Sequence, residues 1–321
     1  MSRQSAPPDV EDAARRRAEA RAGRDWDTAD RLRAEIEGAG WHVVDSGTEF
    51  RLEPANAPDV EVGGEIRYGR SEAVPSRLDE PATGLATVVV VASPDREATA
   101  RTLDALLDTA PGGVDIVLVA DGLPNAVVSG LLEGAGSRAR ESAPRAELVR
   151  TSEVLGQAAA LNAGIRRAMA PVVVVLDVSI VPEGDVVTPL VEALADPTVA
   201  IAGPLGLRST DLRHFDETTE ADAVAIQGYL MAFRRADAAA RGPLDEAFRF
   251  YRNLDIWWSL VVRDEGDGEP PRKALVVPGL RFRRGEPHAW TATPPAERDR
   301  LSKRNFYRIL DRFRTRTDLA S

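Results

Sequence analysis

The sequence predicts an α/β protein, in which a mostly parallel sheet is flanked by helices and a small helical appendage lies at the N-terminus. From about residue 84 onward, wholly apolar runs of strand length alternate with amphipathic helical patterns. This alternation is typical of βαβ units whose sheet is covered on both faces. The first 40 residues are instead rich in Ala, Arg and Glu, which favour helix and predict the appendage.

Composition and charge exclude several classes of protein. The 321 residues include 51 Asp and Glu against 41 Lys and Arg, a formal charge of −10, which disfavours DNA as a partner. Cysteine is absent, so disulfides and thiolate sites are excluded. No apolar run approaches the ~18 residues of a membrane helix, and the N-terminus has no apolar signal core. We therefore expect a cytoplasmic protein, with peripheral membrane contact left open.

The chain is expected to have three parts. Residues 1–53 are predicted to form a helix pair and a hairpin that turns at residues 45–48, with Asp25 as a helix N-cap. Residues 54–83, rich in Pro, Gly and charge, are predicted to be a linker. Residues 84–321 form the main domain. One apolar stripe is expected on the second helix, formed by Trp26, Ala29, Leu32 and Ile36.

The main domain has regular predicted elements. The helical patterns cover Arg96–Asp108 and Gln157–Met169. In a parallel sheet, ligands bind beyond the carboxyl ends of the strands, so those ends are the first place to look for a site. The predicted strands are Ala86–Ala92, Val114–Ala120, Glu147–Arg150, Val172–Asp177, Val199–Ala202 and Ala274–Arg284.

Acidic residues follow two of these strands. Asp121 follows the second strand and Asp177 ends the fourth. A carboxylate there can accept hydrogen bonds from a base or a ribose, or bind a hard divalent cation. Two structural alternatives stay open, since Asp121 can begin a turn and Asp177 can cap a helix.

Common cofactor motifs are missing. Neither G-x-G-x-x-G nor G-x-x-x-x-G-K-[ST] occurs, which counts against dinucleotide dehydrogenases and P-loop NTPases. His42, His214 and His288 lie outside any H-E-x-x-H frame, which excludes a zincin.

Residues 85–314 resemble a family 2 glycosyltransferase with the GT-A fold, whose sheet is Rossmann-like. The match rests on the order and spacing of several segments. These are the opening strand Ala86–Ser93, V-A-D-G at 119–122, G-Q-A-A-A-L-N-A-G at 156–164, G-Y-L-M-A-F-R-R at 228–235, G-P-L-D-E at 242–246 and Y-R-N-L-D-I at 251–256.

The resemblance implies an inverting transfer of a sugar, hexosyl in type, from a nucleoside-diphosphate sugar to an acceptor hydroxyl. UDP is the expected nucleotide, Mn²⁺ or Mg²⁺ the expected cofactor, and a glycan or lipid-linked molecule the expected acceptor. Asp255 would be the catalytic base, with helix N-capping as its structural alternative. Donor binding is assigned to Ser93, Asp121, Asn162, Gly164, Asp177 and Arg304, and metal binding to Asp177, Ser179 and His288.

The sequence departs from the family pattern at the metal strand. The usual Asp-x-Asp is Asp177-Val178-Ser179 here, and a Ser hydroxyl is a weaker, neutral ligand. Glu183 and Asp185 can compensate, although a solvated loop and a helix cap are the favoured interpretation. Asn253-Leu254 also replaces the acidic residue that often precedes the base. A non-catalytic nucleotide-sugar-binding protein or scaffold is therefore kept as the alternative function.

The C-terminal region offers further polar groups with two interpretations each. His288 can bind a metal or a diphosphate, or can lie in a surface loop. Five basic residues of the last helical stretch can neutralise phosphate, but a solvated helix face is favoured for each one. They are Arg298, Arg300, Lys303, Arg304 and Arg308.

Residues 15–52 resemble the C-terminal tail of cysteinyl-tRNA synthetase, on the segments A-R-A-G-R-D-W at 20–26, A-D-R-L-R at 29–33 and G-W-H-V-V-D at 40–45. The nucleotide motifs and zinc cysteines of the synthetase are absent, which excludes aminoacylation. Because acidic residues are interspersed with the arginines, we expect residues 1–53 to serve homo-oligomerisation or protein docking rather than RNA binding.

Overall fold

A computed structural model describes residues 6–46, 49–55, 57–132, 144–266 and 268–320. The chain divides into two compact units, Met1–Arg70 and Ser71–Ser321. The helices are α1 (Pro8–Ala22), α2 (Trp26–Gly38), α3 (Arg96–Thr109), α4 (Asn125–Val128), α5 (Gln157–Ile165), α6 (Thr188–Ala193), α7 (Arg235–Arg241), α8 (Leu254–Arg263), α9 (His288–Ala292) and α10 (Pro295–Phe313).

Strands and short 3₁₀ turns complete the list of elements. The 3₁₀ turns are Ser71–Ala73 and Thr317–Leu319. The strands are β1 (Trp41–Ser46), β2 (Glu49–Pro54), β3 (Val60–Val62), β4 (Glu65–Tyr68), β5 (Ala86–Val91), β6 (Val114–Ala120), β7 (Arg145–Thr151), β8 (Val172–Leu176), β9 (Ile180–Pro182), β10 (Val199–Gly203), β11 (Gly206–Arg208), β12 (Asp216–Thr218), β13 (Asp222–Ala223), β14 (Ala225–Ile226), β15 (Leu230–Arg234), β16 (Lys273–Val276) and β17 (Phe282–Arg284).

The first unit packs the two helices α1 and α2 with the β1–β2 hairpin around a small apolar core. Asp25 caps α2 as predicted, with its Oδ1 accepting from the Thr28 N–H at 3.1 Å. Buried Arg17 forms two hydrogen bonds to the Asp45 carboxylate, of 2.9 and 3.1 Å. Residues 47 and 48 of the predicted turn lie outside the described residues. The core consists of Val10, Ala13, Ala14, Leu32, Ile36 and Trp41.

Trp26 does not belong to the apolar stripe that the sequence predicts for α2. Its side chain is 57% exposed, whereas Ala29, Leu32 and Ile36 are buried. At 100° per residue, Trp26 lies about 120° around the helix from Leu32 and so leaves the core-facing stripe. The prediction for Trp26 was therefore wrong.

The segment predicted as a linker contains regular structure. Strands β3 and β4 form an antiparallel hairpin, with Val60 opposite Arg67, Glu61 opposite Ile66 and Val62 opposite Glu65. A 3₁₀ turn follows at Ser71–Ala73.

The second unit is built on one large sheet, whose strands run in the order β13-β16-β10-β15-β8-β5-β6-β7. Four neighbours, β8, β5, β6 and β7, are parallel. Strand β15 lies antiparallel between β8 and β10. The central strands are buried on both faces, as their apolar sequences predicted. The predicted fold class, a mostly parallel sheet flanked by helices, is confirmed.

Two predicted elements differ in the structure. The single strand predicted over Ala274–Arg284 is two strands, because β16 joins the main sheet whereas β17 pairs with β9. Gly279 lies between the two strands and has a φ of +79°, a conformation that interrupts a strand and that favours glycine. The helix predicted to reach Met169 ends at Ile165. The N–H groups of Met169 and Ala170 instead donate to the Thr87 hydroxyl, which leads the chain into β8.

The strand order also fixes where the predicted acidic residues lie. Asp121 follows β6 and Asp177 follows β8, and both strands are parallel neighbours of β5. Strands two positions apart are about 10 Å apart, so the two residues flank the end of β5. No helix among the described residues is long and apolar enough to span a membrane.

Candidate active site

A cavity of about 860 Å³ opens next to the end of β8. This volume is in the range of sites for small molecules. Asp177 and Asp255, the predicted donor-binding residue and base, both line the cavity. Its other walls come from Leu207, Arg213, Phe215 and Glu217, from Gln227–Tyr229 and Met231, from Tyr251–Ile256, from Arg284–Pro287 and Trp290, and from Gln157, Leu161 and Phe306.

Asp177 is held at the end of its strand by hydrogen bonds on both sides. Its N–H donates to the Tyr229 carbonyl at 2.9 Å, and its Oδ1 accepts from the Ser179 N–H at 2.8 Å. The next element is β9, not a helix, so the helix-cap alternative for Asp177 was wrong. The carboxylate therefore lies in a tight turn that faces the cavity.

Asp255 is fixed by two backbone N–H groups. Its Oδ2 accepts from Gly228 at 2.9 Å, and its Oδ1 accepts from Ile256 at 3.0 Å. A Cβ on Gly228 would lie 2.9 Å from the Asp255 Cβ, so only glycine permits this approach. Asn253, not Asp255, is the N-cap residue of α8, and its φ is +68°. The N-cap alternative for Asp255 was therefore wrong.

Asp255 lies in an environment that favours its protonated form. Burial raises the pKa of the Asp255 carboxyl, and the hydrogen bonds from Gly228 and Ile256 and the positive charge of Arg252 oppose that rise. Burial also raises the pKa of the Tyr251 phenol, and the negative charges of Asp177 and Asp255 add to this effect. The carboxylates of Asp177 and Asp255 thus both raise the pKa of Tyr251, a residue of the cavity lining.

Asp121 holds a loop rather than lining the cavity. Its two carboxylate oxygens accept from the N–H groups of Leu155 and Gly156, at 2.8 and 3.0 Å, and from the Thr151 hydroxyl at 2.9 Å. Burial raises the pKa of Asp121, and these hydrogen bonds oppose the shift. The carboxylate therefore orders residues 151–156 at the end of β6.

Two predicted donor-binding residues of α5 have packing roles in the structure. The buried Asn162 amide donates to the Leu244 carbonyl and to Glu246, both at 2.9 Å, and its Oδ1 accepts from the Leu244 N–H. A Cβ on Gly164 would lie 2.4 Å from the Val89 Cγ1, so Gly164 lets α5 pack closely on the sheet. Neither residue lines the cavity.

Ser93 and Arg304 also lie outside the cavity lining. Ser93 is buried, with its N–H donating to Thr99 and its hydroxyl accepting from the Asp95 N–H, both at 3.0 Å. It therefore shapes the turn from β5 into α3. Arg304 is exposed and donates to the Ala247 carbonyl at 3.2 Å.

The predicted metal ligands are brought together only in part. His288 begins α9 and does not line the cavity. Within the described residues, no group of three or more His, Cys, Asp or Glu side chains can hold a metal ion. Asp177 and Ser179 offer oxygen donors, which Mn²⁺ and Mg²⁺ accept, and the buried Ser179 Oγ has no hydrogen-bond partner. Asp177 and Ser179 are therefore the residues of this turn that would hold a divalent cation.

Glu183 lies in an exposed loop, as the sequence analysis favoured, whereas the N-cap residue of α6 is Val187 and not Asp185. Glu183 pairs with Arg283 at 2.8 Å on the surface. Asp185 accepts from the N–H groups of Val187 and Thr188, at 2.8 and 2.9 Å, at the start of α6. Neither contributes to the cavity.

Sequence reasoning missed most of the cationic and aromatic wall of the cavity. The Arg284 guanidinium lies 4.1 Å from the centre of the Tyr229 ring, and the Arg252 guanidinium lies 5.1 Å from the centre of the Trp290 ring. The scarcity of aromatics in the chain was the available signal for Tyr229 and Trp290. Nothing in the sequence pattern signals that Arg213, Phe215 and Glu217 reach this cavity.

The model of the family described as "Glycosyl transferase family 2" matches residues 87–249, about half of the chain. The chain belongs to glycosyl transferase family 2. The matched residues contain Asp121, Asp177 and the α5 segment, and end just before the segment that carries Asp255. No curated protein matches the sequence.

The chain is similar to solved structures, and the likeness to GalNAc-T7 supports a shared fold. The crystal structure of GalNAc-T7 with UDP, GalNAc and Mn²⁺ matches with a TM-score of 0.56 at 17% identity, covering 71% of this chain and 48% of that one. This chain thus spans about half the length of that protein. The mannosyltransferase PcManGT from Pyrobaculum calidifontis, in complex with GDP-Man and Mn²⁺, matches with a TM-score of 0.46 at 20% identity, covering 77% of this chain and 75% of that one.

Proposed function

We propose that this family 2 member transfers a sugar, hexosyl in type, from a nucleoside-diphosphate sugar to an acceptor hydroxyl with inversion at C1. The observation that carries this proposal is the shared cavity of Asp177 and Asp255. Asp177 ends a parallel strand, where α/β proteins bind ligands. Asp255 enters the same cavity from the first turn of α8.

Asp255 is proposed as the general base. Two hydrogen bonds fix the plane of the Asp255 carboxylate. Its orientation toward the acceptor hydroxyl is therefore fixed before the reaction. The hydroxyl oxygen attacks C1, its proton passes to Asp255, and the C1–O bond to the diphosphate breaks. The raised pKa makes Asp255 a stronger base than an exposed Asp, and the nearby charge of Arg252 favours its ionised form.

The donor is proposed to lie along the ends of β5, β6 and β8. Ser93 and the loop ordered by Asp121 border the nucleoside, and Asp177 with Ser179 borders the ribose and diphosphate. A bound divalent cation would neutralise charge on the departing diphosphate. UDP is the proposed nucleotide and Mn²⁺ or Mg²⁺ the proposed cation, in line with the ligands of the GalNAc-T7 structure. A glycan or a lipid-linked molecule is the proposed acceptor.

The test is Asp255→Asn, with nucleoside-diphosphate release measured from a panel of UDP- and GDP-sugars. We expect release at least ~100-fold slower, because a positioned base contributes ~10²–10⁴-fold. Binding of the nucleoside diphosphate, measured by calorimetry, should stay close to that of the wild type. Asp299→Asn, in the exposed part of α10, is the matched control and should leave release unchanged. Normal release by Asp255→Asn with a lowered melting temperature would refute the catalytic role.

The second candidate is a non-catalytic nucleotide-sugar-binding protein or scaffold. It is favoured by Ser179 at the usual carboxylate position and by the absence of an acidic or histidine cluster among the described residues. This candidate predicts that the wild type binds nucleoside diphosphates but releases none from any donor sugar. Detectable release that depends on Asp255 excludes it.

The N-terminal part is proposed to act in docking or homo-oligomerisation, with residues 1–53 as the appendage, 54–83 as the connection and 84–321 as the transferase domain. The resemblance of residues 15–52 to a synthetase tail remains a prediction. Exposed Trp26 is a candidate contact residue for docking. Sedimentation of the full chain, compared with that of Trp26→Ser, tests the homo-oligomer.

A further inference from the structure

The short sheet of β9 and β17 joins a basic segment to the Asp177–Ser179 turn. Arg284 pairs with Ile180, the first residue after that turn, in an antiparallel register. The next residue, Gly285, donates its N–H to the Ser179 carbonyl at 2.7 Å. The backbone of Arg284 is thereby anchored beside the point where the family pattern has a second carboxylate.

Two consecutive arginines of β17 point in different directions, as successive residues of a strand do. Arg283 is exposed and forms an ion pair with Glu183 at 2.8 Å. Arg284 lines the cavity together with Asp177. Within the described part of the chain, no carboxylate lies within ion-pair distance of the Arg284 guanidinium. Arg284 thus places on the cavity wall a guanidinium that is not in ion-pair contact with the carboxylates of the lining, Asp177, Glu217, Asp255 and Glu286.

Tyr229 links the orientation of Arg284 to that of Asp177. Its carbonyl accepts from the Asp177 N–H at 2.9 Å, and its ring lies 4.1 Å from the Arg284 guanidinium carbon. The ring is buried and also contacts Phe282 of β17, at 6.1 Å between ring centroids. One rigid residue therefore positions the acid and the cation on the same wall, and stacking on an aromatic ring restricts a guanidinium.

The charges at the Asp177–Ser179 turn indicate which chemical group the Arg284 guanidinium binds. Ser179 contributes a neutral hydroxyl where the family pattern has an acid, so this turn attracts a divalent cation less strongly. A diphosphate needs positive charge to leave, and a guanidinium matches phosphate oxygens with two parallel donors. Compared with the family pattern, the Asp177–Ser179 turn thus has one carboxylate fewer, and Arg284 adds a positive charge next to the turn.

We propose that Arg284 binds the donor diphosphate and stabilises it as the leaving group, which makes transfer less dependent on a divalent cation. This inference rests on the proposed function. As the acceptor oxygen bonds to C1 and its proton goes to Asp255, the C1–O electron pair moves to the diphosphate, and the Arg284 N–H groups hydrogen-bond to the oxygens that gain charge. Arg284 is then a catalytic residue that sequence reasoning had not assigned.

The test uses the full chain with UDP, GDP and inorganic pyrophosphate as probes, titrated by calorimetry in EDTA and in Mn²⁺. Arg284→Gln is expected to weaken binding in EDTA at least about tenfold, as for a lost charged hydrogen bond. Mn²⁺ should restore part of the loss. Arg284→Lys keeps the charge without the fork and should be intermediate. Arg283→Gln is the matched control and should bind like the wild type.

Nucleoside-diphosphate release supplies the second measurement. Arg284→Gln should lower kcat by a larger factor than it raises KM for the donor, because leaving-group charge develops in the transition state. Melting curves of all variants check that they fold. Binding by Arg284→Gln equal to the wild type in EDTA, or an equal loss in Arg283→Gln, overturns the inference. A wild type that binds these probes only with Mn²⁺ also overturns it.

The failures of the two proposals are distinguishable. If the wild type binds no nucleoside diphosphate under any condition, the proposed function fails. If the wild type binds and turns over donor sugars while Arg284→Gln behaves identically, only the role of Arg284 fails.

Discussion

At the scale of single residues, the geometry of Asp255 depends on what Gly228 lacks. The Gly228 N–H reaches the Asp255 Oδ2 at 2.9 Å because no side chain separates them. Gly228 belongs to the G…RR segment that the sequence analysis recognised, but its partner was not visible there. The sequence shows that residue 228 has no Cβ, but it does not show which residue approaches it.

Gly228→Ala should therefore impair catalysis without abolishing donor binding. The added Cβ would lie 2.9 Å from the Asp255 Cβ and displace the carboxylate. A misplaced base can cost about 100-fold in rate. The measurement is nucleoside-diphosphate release by the purified variant. Gly38→Ala is the control, since a Cβ there meets nothing within 4 Å, and its rate should match the wild type.

Activity should fall on the acid side as Asp255 becomes protonated. Only the ionised carboxylate accepts a proton, and burial raises its pKa above the ~3.9 of an ordinary Asp. The acid limb of kcat/KM should therefore have its midpoint above that value. Arg252→Gln should move the midpoint further up, because the Arg252 charge lowers this pKa. A profile that is flat between pH 4 and 7 would contradict the assignment.

Asp177→Ala should weaken binding of a nucleoside diphosphate in the presence of Mn²⁺ by at least about tenfold, the usual effect of removing a charged partner. Calorimetry measures this. Asp185→Ala is the comparison, since Asp185 lies outside the cavity and accepts hydrogen bonds from the N–H groups of Val187 and Thr188 at the start of α6. It should bind normally but lose about 1 kcal/mol of stability with these hydrogen bonds. Equal binding by Asp177→Ala and the wild type would remove Asp177 from the site.

At the scale of elements, α5 connects the parallel sheet to the region before α8. Its first N–H groups, of Gln157 and Ala158, donate to the carbonyls of Arg249 and Phe248, at 3.0 and 3.1 Å. Asn162 donates to the Leu244 carbonyl on the same side. Two segments that the sequence analysis treated as separate motifs are thus one hydrogen-bonded unit. This unit fixes residues 244–249, the segment that leads toward α8, on α5.

Gly164→Ala should test the fit of α5 on the sheet. The new Cβ would lie 2.4 Å from the Val89 Cγ1 and 3.0 Å from the Val119 Cγ2. Overpacking of this kind costs about 1–3 kcal/mol of unfolding free energy. Urea denaturation measures the loss. Combining the change with Val89→Ala makes room for the new methyl group, so the double variant should lose less than the sum of the two single variants.

At the scale of the whole molecule, the chain forms two units of very different size. The core of the first unit uses its own residues, such as Val10, Leu32 and Trp41. The residues that line the cavity all fall between Gln157 and Phe306. The candidate chemistry is therefore confined to the second unit.

Deletion of residues 1–53 should leave turnover largely intact in a folded protein, because no cavity-lining residue is removed. The measurement is nucleoside-diphosphate release by the truncated chain, compared with the full chain at equal concentration. Circular dichroism confirms folding. A folded truncation that has lost release would mean that the N-terminal residues build part of the site.

The sequence predicted most strands of the main sheet, but it missed β15, which lies between β8 and β10, and it predicted the partners of the site residues poorly. The strand over residues 114–120 was predicted with its observed bounds, because a strand buried on both faces is apolar at every position. The strand predicted over Ala274–Arg284 was wrong, since apolar spacing does not report which sheet a strand joins.

What the sequence by itself determined is the alternation of helices and strands, the acids at the strand ends and the family to which the chain belongs. These follow from local composition and from short motifs, which depend on neighbouring residues. Only the tertiary structure decided that Asp255 meets Gly228, that Asn162 packs rather than lines the cavity, and that Arg284 lies beside Ser179. These contacts join residues 27 to 105 positions apart, and the pairing of strands and the packing of α5 and α8 create them.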